Sequence, residues 1–530
     1  MKDEPAREQL RAAWRANGWY APLSVGEALK AGAREHGASE IVFAPVDATT
    51  QTVTRAALHE RAETLAAVLL RAGVSPGDAV AVQAPIDRAS TEVLEALWLL
   101  GAVVVPIVVT AGAAEVGQIV RESTAATIIV APEWRGAPLA AAAVEHAGDW
   151  GVQRVFTIGR DAPPGATPLD PSRSGEPAPL PRAPAPSAVC CVLYTSGSTA
   201  APKGVQHTHE TLLAGLTAVP ADSSSRSLVT FPAGHVAALL GLLRPLSVGG
   251  TTVVMDRWSA RHAAALVEEH ALTTSAGTPF FLAGLLDAAD RDRRDITSLR
   301  HFLVGAASVP PALVARAEAR SIVSWRTYGS TEHPAITSGT PSDPPEKRRG
   351  TDGRPGPGNE VRLVDPEGRD VDAGAEGEIV ARGPKQFLGY RDAALDDDAF
   401  AGSWFRTGDL GRFDSDGHLV VTDRIKDIII RGGENISARE IEDVLATHPA
   451  VSEVSVCAAP DEVWGERVVA FVRAVDGTSP NAAELATHAR HAGLAAHKVP
   501  ADVKVVDDFP RTASGKIRKA DLRATLWRTS

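Results

Sequence analysis

Cysteine is nearly missing: there are three in 530 residues, Cys190 and Cys191 adjacent and Cys457 far away. That count excludes a disulfide framework and gives no metal-ligand spacing, so a reducing, cytoplasmic setting is the simplest expectation. Basic residues are also in deficit. Lys and Arg number 54 against 65 Asp and Glu, a net charge of −11. Such a balance argues against nucleic acid or an anionic membrane as the main partner, while a local basic patch for a small phosphorylated ligand stays open. The opening residues, Met1-Lys2-Asp3-Glu4-Pro5, lack the apolar core of a signal peptide. Long unbroken apolar runs are scarce too. The uncharged stretch 96–114 is interrupted by Gly101, Pro106 and Gly112, and Val103-Val104-Val105 within it reads as a buried strand after a helix, not a membrane span. No repeat of 20–50 residues is evident.

What is present is the balance of an ordinary globular protein, 44% apolar and 22% charged. A chain of this length exceeds one hydrophobic core, so a large body of subdomains and at least one smaller unit are expected. Helical patterns at 25–37, 55–73 and 90–100 alternate with Val/Ala-rich runs such as Ala79-Val80-Ala81-Val82. The rhythm returns at 126–130, 154–158, 251–255 and 301–304. It predicts an α/β fold with parallel sheets covered by helices. The Pro/Ala/Gly-rich segment 161–187 reads as a surface connection. After about Gly350 the pattern shifts to short alternating strands at 360–364, 377–381 and 418–422, with a turn at Asp414-Ser415-Asp416-Gly417. Ser437-Ala438-Arg439-Glu440 spells a capping box that opens a helix with Ile441, Val444 and Leu445 on one face. The boundary is expected near Lys426, dividing the chain into 1–425 and an α+β unit of 426–530.

The strongest chemical signal is Tyr194-Thr195-Ser196-Gly197-Ser198-Thr199-Ala200-Ala201-Pro202-Lys203-Gly204. It follows the strand-like run 188–193 and precedes a possible helix at His207. Hydroxyls and backbone N–H groups donate, and a lysine supplies charge: the ingredients of a phosphate cradle. The common NTPase P-loop spelling does not fit, because Pro202 precedes Lys203 and Gly204 follows it.

This loop resembles the signature of the adenylate-forming superfamily of acyl- and aryl-CoA synthetases, luciferases and adenylation domains. Tyr328-Gly329-Ser330-Thr331-Glu332 is similar to its second signature. Phe405-Arg406-Thr407-Gly408-Asp409, Asp423-Arg424-Ile425-Lys426-Asp427 and Gly432-Gly433-Glu434-Asn435-Ile436 resemble the third block, and Pro510-Arg511-Thr512-Ala513-Ser514-Gly515-Lys516 the C-terminal lysine motif. The resemblance spans residues 194–519. It implies a large N-terminal domain of several subdomains with a small barrel-like β part, followed by a small mobile C-terminal domain. It also implies a reaction in two halves. A carboxylate attacks the α-phosphorus of ATP and releases pyrophosphate; a thiol then attacks the acyl-adenylate and releases AMP. CoA is the implied thiol and Mg²⁺ the implied ion.

The resemblance also implies a role for each matching residue. Lys516 stabilises charge developing at the α-phosphate and carboxylate. Thr195, Ser196, Gly197, Ser198, Thr199 and Lys203 hold phosphates. Glu332 holds Mg²⁺ on them, and Thr331 touches the α-phosphate. Tyr328 stacks on adenine beside Gly329; Asp409 accepts the ribose hydroxyls, and Arg424 contacts the nucleotide. Lys426 is the hinge that exchanges Lys516 for the Gly432-Gly433 loop, where a pantetheine arm passes the backbone. Trp464 packs on CoA. His235 lines the acid pocket and gates the thiol, with Gly305, Ala306 and Ala307 leaving room for an acid bulkier than acetate. No Phe-Asp occurs in that region, which argues against an amino-acid substrate; the flavour is that of cyclohexanecarboxylate- or aryl-acid-CoA ligases.

Two positions depart from the family pattern. Ala200 stands where the phosphate loop usually has glycine, and Arg326 stands where relatives carry an amide or small residue, so atypical adenine or acid contacts are expected. His207-Thr208-His209 suggests metal only weakly, because residues i and i+2 of a helix face different ways. The rival readings are an enzyme that loads a carrier-protein phosphopantetheine or another nucleophile, and a non-catalytic nucleotide-binding module. A monomer and a homodimer are equally compatible with the sequence.

Overall fold

The computed structural model describes residues 4–170, 179–195, 202–218 and 225–527. Among these, two large sheets form the body. One has eight strands, in the order Gly389–Tyr390, Lys203–Thr208, Val189–Thr195, Val103–Ile107, Ala79–Gln83, Thr127–Val130, Arg154–Ile158 and Thr167–Leu169. From Val103–Ile107 outward its pairings are parallel. The other has nine strands and a parallel centre running from Val323–Tyr328 through His301–Gly305, Thr274–Gly277, Arg226–Val229 and Thr251–Val254 to Glu40–Phe43. Parallel strands of this kind are Val/Ile-rich because helices cover both faces.

The expected alternation is there, with shifts of a residue or two at the ends: helices occupy Val25–Glu35, Arg55–Arg71 and Arg88–Leu100. The stretch 96–114 resolves into the end of the third helix, a left-handed Gly101 cap and the strand Val103–Ile107. Among the described residues no helix is long and apolar enough to cross a membrane. The connection 161–187 adds one short edge strand, Thr167–Leu169, to the first sheet. One local expectation fails. His207 lies in a strand, and the helix begins at His209 with Thr208 as its cap, because the hairpin with Val189–Thr195 continues to Thr208.

After these sheets comes a five-stranded antiparallel sheet of Glu360–Val364, Gly377–Arg382, Phe400–Ala401, Trp404–Phe413 and Leu419–Arg424. A last five-stranded sheet is built wholly from residues 429–505, with its own apolar core around Ile429, Ile441, Val468 and Leu485. The Ser437 cap is only half of the expected box. Its side chain accepts from the Glu440 N–H, but the Glu440 carboxylate accepts from Lys498 Nζ at 2.6 Å, which draws it from the helix end.

The helix Val236–Val248 forms one wall of the large cavity in the body, and two contacts define its seat. Arg55, fully buried, donates to both oxygens of the equally buried Glu95 and to the carbonyls of Leu29 and Leu246. A buried pair of this kind is tolerable only when every donor is satisfied. Gly32 allows the helix Val25–Glu35 to touch the same carbonyl: an added Cβ would stand 2.1 Å from Leu246 O. Gly32→Ala is therefore expected to force the helices apart and lower stability by about 1–3 kcal/mol, read as a lower denaturation midpoint at unchanged slope. An unshifted midpoint would mean the two helices have room to spare.

Candidate active site

A cavity of about 1020 Å³ opens among the two large sheets, the antiparallel sheet and the C-terminal unit. Four groups of side chains border it.

The first group sits where Val189–Thr195 ends. Antiparallel register sets Thr195 opposite Lys203, so the hairpin alone brings both to the cavity. Lys203 Nζ lies 5.2 Å over the Tyr390 ring, a favourable place for a cation. Tyr390 in turn donates its hydroxyl to Glu332 Oε1 at 2.8 Å. Thr331 and Glu332 lie within a compact turn closed by the Ser330 N–H donating to His333 O. Gly329 is needed there, because an added Cβ would lie 2.5 Å from Ala335 N. His207 Nε2–H donates to Thr331 O at 2.8 Å, and burial keeps that imidazole neutral by lowering its pKa. The residues 196–199, and the departure at Ala200, lie outside the described residues.

The second group is Asp409 with its two donors. Asp409 and Arg424 are register partners on adjacent strands; Arg424 Nε donates to Oδ1 and Tyr328 Oη to Oδ2, each at 2.8 Å. Asp409 is buried and borders the cavity, as does Arg424, whose pKa is raised first by the Asp409 charge. Tyr328 meets Asp409 through its hydroxyl, and its ring packs toward Leu363, Ile379 and Leu419.

The third group comes from the C-terminal unit. The loop 511–517 is closed by Thr512 N–H donating to Lys516 O at 2.8 Å, with Gly515 left-handed at φ 81°. It is fastened to the body in two places. Thr278 Oγ1 donates to Ser514 O at 3.2 Å, and the Arg511 guanidinium lies 4.6 Å over the Phe280 ring. Lys516 thereby borders the cavity. Its side chain is exposed to the cavity, yet the cavity walls crowd round it; the desolvation they impose, then the Arg424 charge, depresses its pKa to about 8. Lys426 borders the same space, and burial lowers its pKa as well.

The fourth group lines the opposite wall. His235 caps the helix Val236–Val248, its Nδ1 accepting from Ala237 N–H at 3.1 Å, and stacks on Phe231 with ring centres 4.9 Å apart. Burial, then the Lys516 charge, lowers its pKa to about 4, so it is neutral with the proton on Nε2. Gly305 and Ala306 border the cavity; Ala307 does not. The reason is local. Ala306 is left-handed (φ 63°), which turns the chain away after it.

Gly432, Gly433 and Trp464 do not border the cavity. They form a separate tip of the C-terminal unit, where Gly432 N–H donates to Trp464 O at 2.7 Å and Trp464 is 52% exposed. The expectation for Arg326 needs correcting. Its guanidinium turns to Asp352 Oδ1, at 2.6 Å, and to Arg349 O, and Arg326 does not border the cavity. His207 and His209 are apart in function as well: His209 Nδ1 accepts from Val25 N–H. No cluster of three metal-capable side chains exists among the described residues. Two neighbours of the site escaped the sequence reading, Tyr390 and the structural part played by His207. Nothing local marks either. Tyr390 reaches Glu332 only because Gly389–Tyr390 pairs with Lys203–Thr208 across 185 residues of chain.

Comparison with known proteins sets the class: enzymes that use ATP to form acyl-adenylates. The chain belongs to the AMP-binding enzyme family, whose profile matches residues 29–391, and the profile of the AMP-binding enzyme C-terminal domain matches 440–516. It is 31% identical to a medium-chain fatty-acid–CoA ligase of Escherichia coli K12, over 98% of this chain and 94% of that one. It is 35% identical to a feruloyl-CoA synthase of Amycolatopsis, over 89% and 93%. The solved structure of the amide bond synthetase McbA from Marinactinospora thermotolerans superposes with a TM-score of 0.83 at 28% identity, over 94% and 99%.

Proposed function

We propose that this enzyme converts a carboxylic acid without an α-amino group into its acyl-adenylate and then passes the acyl group to CoA. The carrying observation is that Lys516, brought by the C-terminal unit, faces the same cavity as Thr195, Lys203, Glu332 and Asp409. In the first half a carboxylate oxygen bonds to the α-phosphorus as pyrophosphate leaves. Lys516 balances the charge that builds up there, and positioning does most of the rest. Asp409 and Arg424 form the sugar end, with Tyr328 behind them. Glu332 is the candidate Mg²⁺ ligand: one oxygen is held by Tyr390, which aims the carboxylate, and the other has no partner among the described residues. A single protein carboxylate suits a small hard cation that keeps waters and phosphates as its remaining ligands. When bound, the ion neutralises charge on the phosphates.

The acid enters along 231–244, a wall that contains no carboxylate to pair with a substrate ammonium. In the second half the thiol sulfur bonds to the acyl carbon and AMP leaves. For this the unit 426–530 turns about Lys426, releasing the Thr278 and Phe280 contacts, and brings in the Gly432-Gly433 tip. Gly432 is left-handed at φ 60°, and a Cβ there would stand 2.7 Å from the Trp464 ring. Gly432→Leu is expected to leave acid-dependent ATP–pyrophosphate exchange within about twofold while slowing thioester formation roughly 10–100-fold, since misplacement alone carries such a cost. Equal losses in both halves would remove that tip from the thiol step. The likeness to an amide bond synthetase supports one alternative, capture of the adenylate by an amine. Exchange measured over aliphatic, alicyclic and aromatic acids, with mass detection of products once CoA or an amine is added, tests both. If no acid draws pyrophosphate into ATP, the proposal fails.

A further inference from the structure

Five arginines border the cavity: Arg244, Arg406, Arg424, Arg511 and Arg518. Four of them face a carboxylate: Arg406 has Glu378 at 2.5 Å, Arg424 has Asp409 at 2.8 Å, Arg511 has Glu453 at 2.5 Å and Arg518 has Asp521 at 3.2 Å. Arg244 has none among the described residues. Its single hydrogen bond there is from Nη1 to the Leu216 carbonyl at 3.0 Å. Among the described residues no charge offsets its burial, which lowers its proton affinity. A half-buried guanidinium without a counter-charge is unfavourable, and it is relieved by whatever anion the cavity admits.

Its place in the fold says which ligand that is. Ala237, Leu240, Gly241 and Arg244 all border the cavity, and positions i, i+3, i+4 and i+7 form one stripe along a helix. The stripe begins beside His235, at the reacting end, and finishes at Arg244. The two are nine positions apart, about 13 Å of helix axis. Arginine side chains lean toward the helix N-terminus, which shortens the gap to the order of 7–12 Å. Between the ends the wall is small or apolar, with Ala237 and Gly241 leaving width and Leu216 and Leu240 giving grease.

Resting on the adenylation reading, we propose that Arg244 sets specificity at the far end of the acid pocket. The favoured substrate is an acid with an apolar middle and a second anionic oxygen group, such as a carboxylate, at its distal end. Linear α,ω-diacids of about six to ten carbons have the required span, as do aromatic diacids of equal length.

The test compares kcat/KM in acid-dependent exchange for hexanoate, octanoate and decanoate with the matching ω-hydroxy acids and α,ω-diacids. The wild-type enzyme is expected to favour the best diacid over its methyl-ended partner by at least about tenfold, with the hydroxy acid between them. In Arg244→Met that ratio should fall roughly 10- to 100-fold, and in Arg244→Lys it should be largely restored. Because the ratio is taken within one protein, a general loss of activity cancels. Should the methionine variant not fold, Arg244→Gln against Arg244→Lys makes the same comparison. A wild-type preference for methyl-ended acids, or a ratio that Arg244→Met leaves in place, overturns the proposal while the adenylation reading stands. Absence of exchange with every acid overturns both.

Discussion

Lys516→Ala is expected to lower acid-dependent ATP–pyrophosphate exchange by about 10²–10³-fold, the cost of deleting one preorganised charge from a developing oxyanion. ATP binding, measured by calorimetry, should change little, because the other proposed nucleotide contacts come from the body: Thr195, Lys203, Asp409 and Arg424 all lie on strands outside the C-terminal unit. Formation of thioester from a supplied acyl-adenylate should also persist if, as proposed, Lys516 leaves the cavity in that half. The pH profile offers a second reading of the same residue. Burial holds the free-enzyme ammonium near a pKa of about 8, and the ammonium is the active form. Exchange kcat/KM is therefore expected to be full below that value and to fall as pH rises through it. Bound phosphates favour the ammonium, so the fall in kcat should come at higher pH. His235, neutral down to about 4, contributes no limb in this range. Exchange that is undiminished in Lys516→Ala would remove the lysine from the first half-reaction.

Glu332→Gln is expected to cost about 10²-fold in exchange and to raise the Mg²⁺ concentration needed for half-maximal rate, because the amide cannot offer a charged oxygen to a hard cation. The substitution is nearly isosteric, and Tyr390 can still donate to the amide oxygen, so position is kept while charge is removed. Tyr390→Phe makes the complementary change. It leaves the charge but frees the carboxylate to move, and a loss within about tenfold is expected from a missing hydrogen bond. The order of the two effects separates charge from positioning. An Mg²⁺ midpoint unmoved in Glu332→Gln would exclude that carboxylate as the ion's ligand.

Much of the site was legible from local spelling. The hairpin at Thr195 and Lys203, the Thr331-Glu332 turn, Asp409 with Arg424, and the Lys516 loop each combine glycine, hydroxyl and charge within a few residues, which few structural roles require together. The alternation of apolar runs with helical patterns likewise announced parallel sheets, since buried strands must be Val/Ile-rich on both faces. Where the reading went wrong, the missing information was non-local. Arg326 was expected to make the adenine or acid contacts atypical, but Asp352 on the next part of the chain claims it. His207 looked helical until its pairing with Val189–Thr195 was known. Ala307 was removed from the cavity by a left-handed residue just before it.

The residue order by itself determined the family, the class of reaction and the inventory of groups able to carry it, because short motifs record backbone turns and charges that form wherever the chain folds. Tertiary structure decided how those groups are aimed: Tyr390 on Glu332, Thr278 and Phe280 holding the Lys516 loop, and Arg244 facing the cavity with no carboxylate partner among the described residues. Each of these joins segments far apart in the chain. Such contacts depend on which strands and helices pack side by side, and no local pattern encodes that.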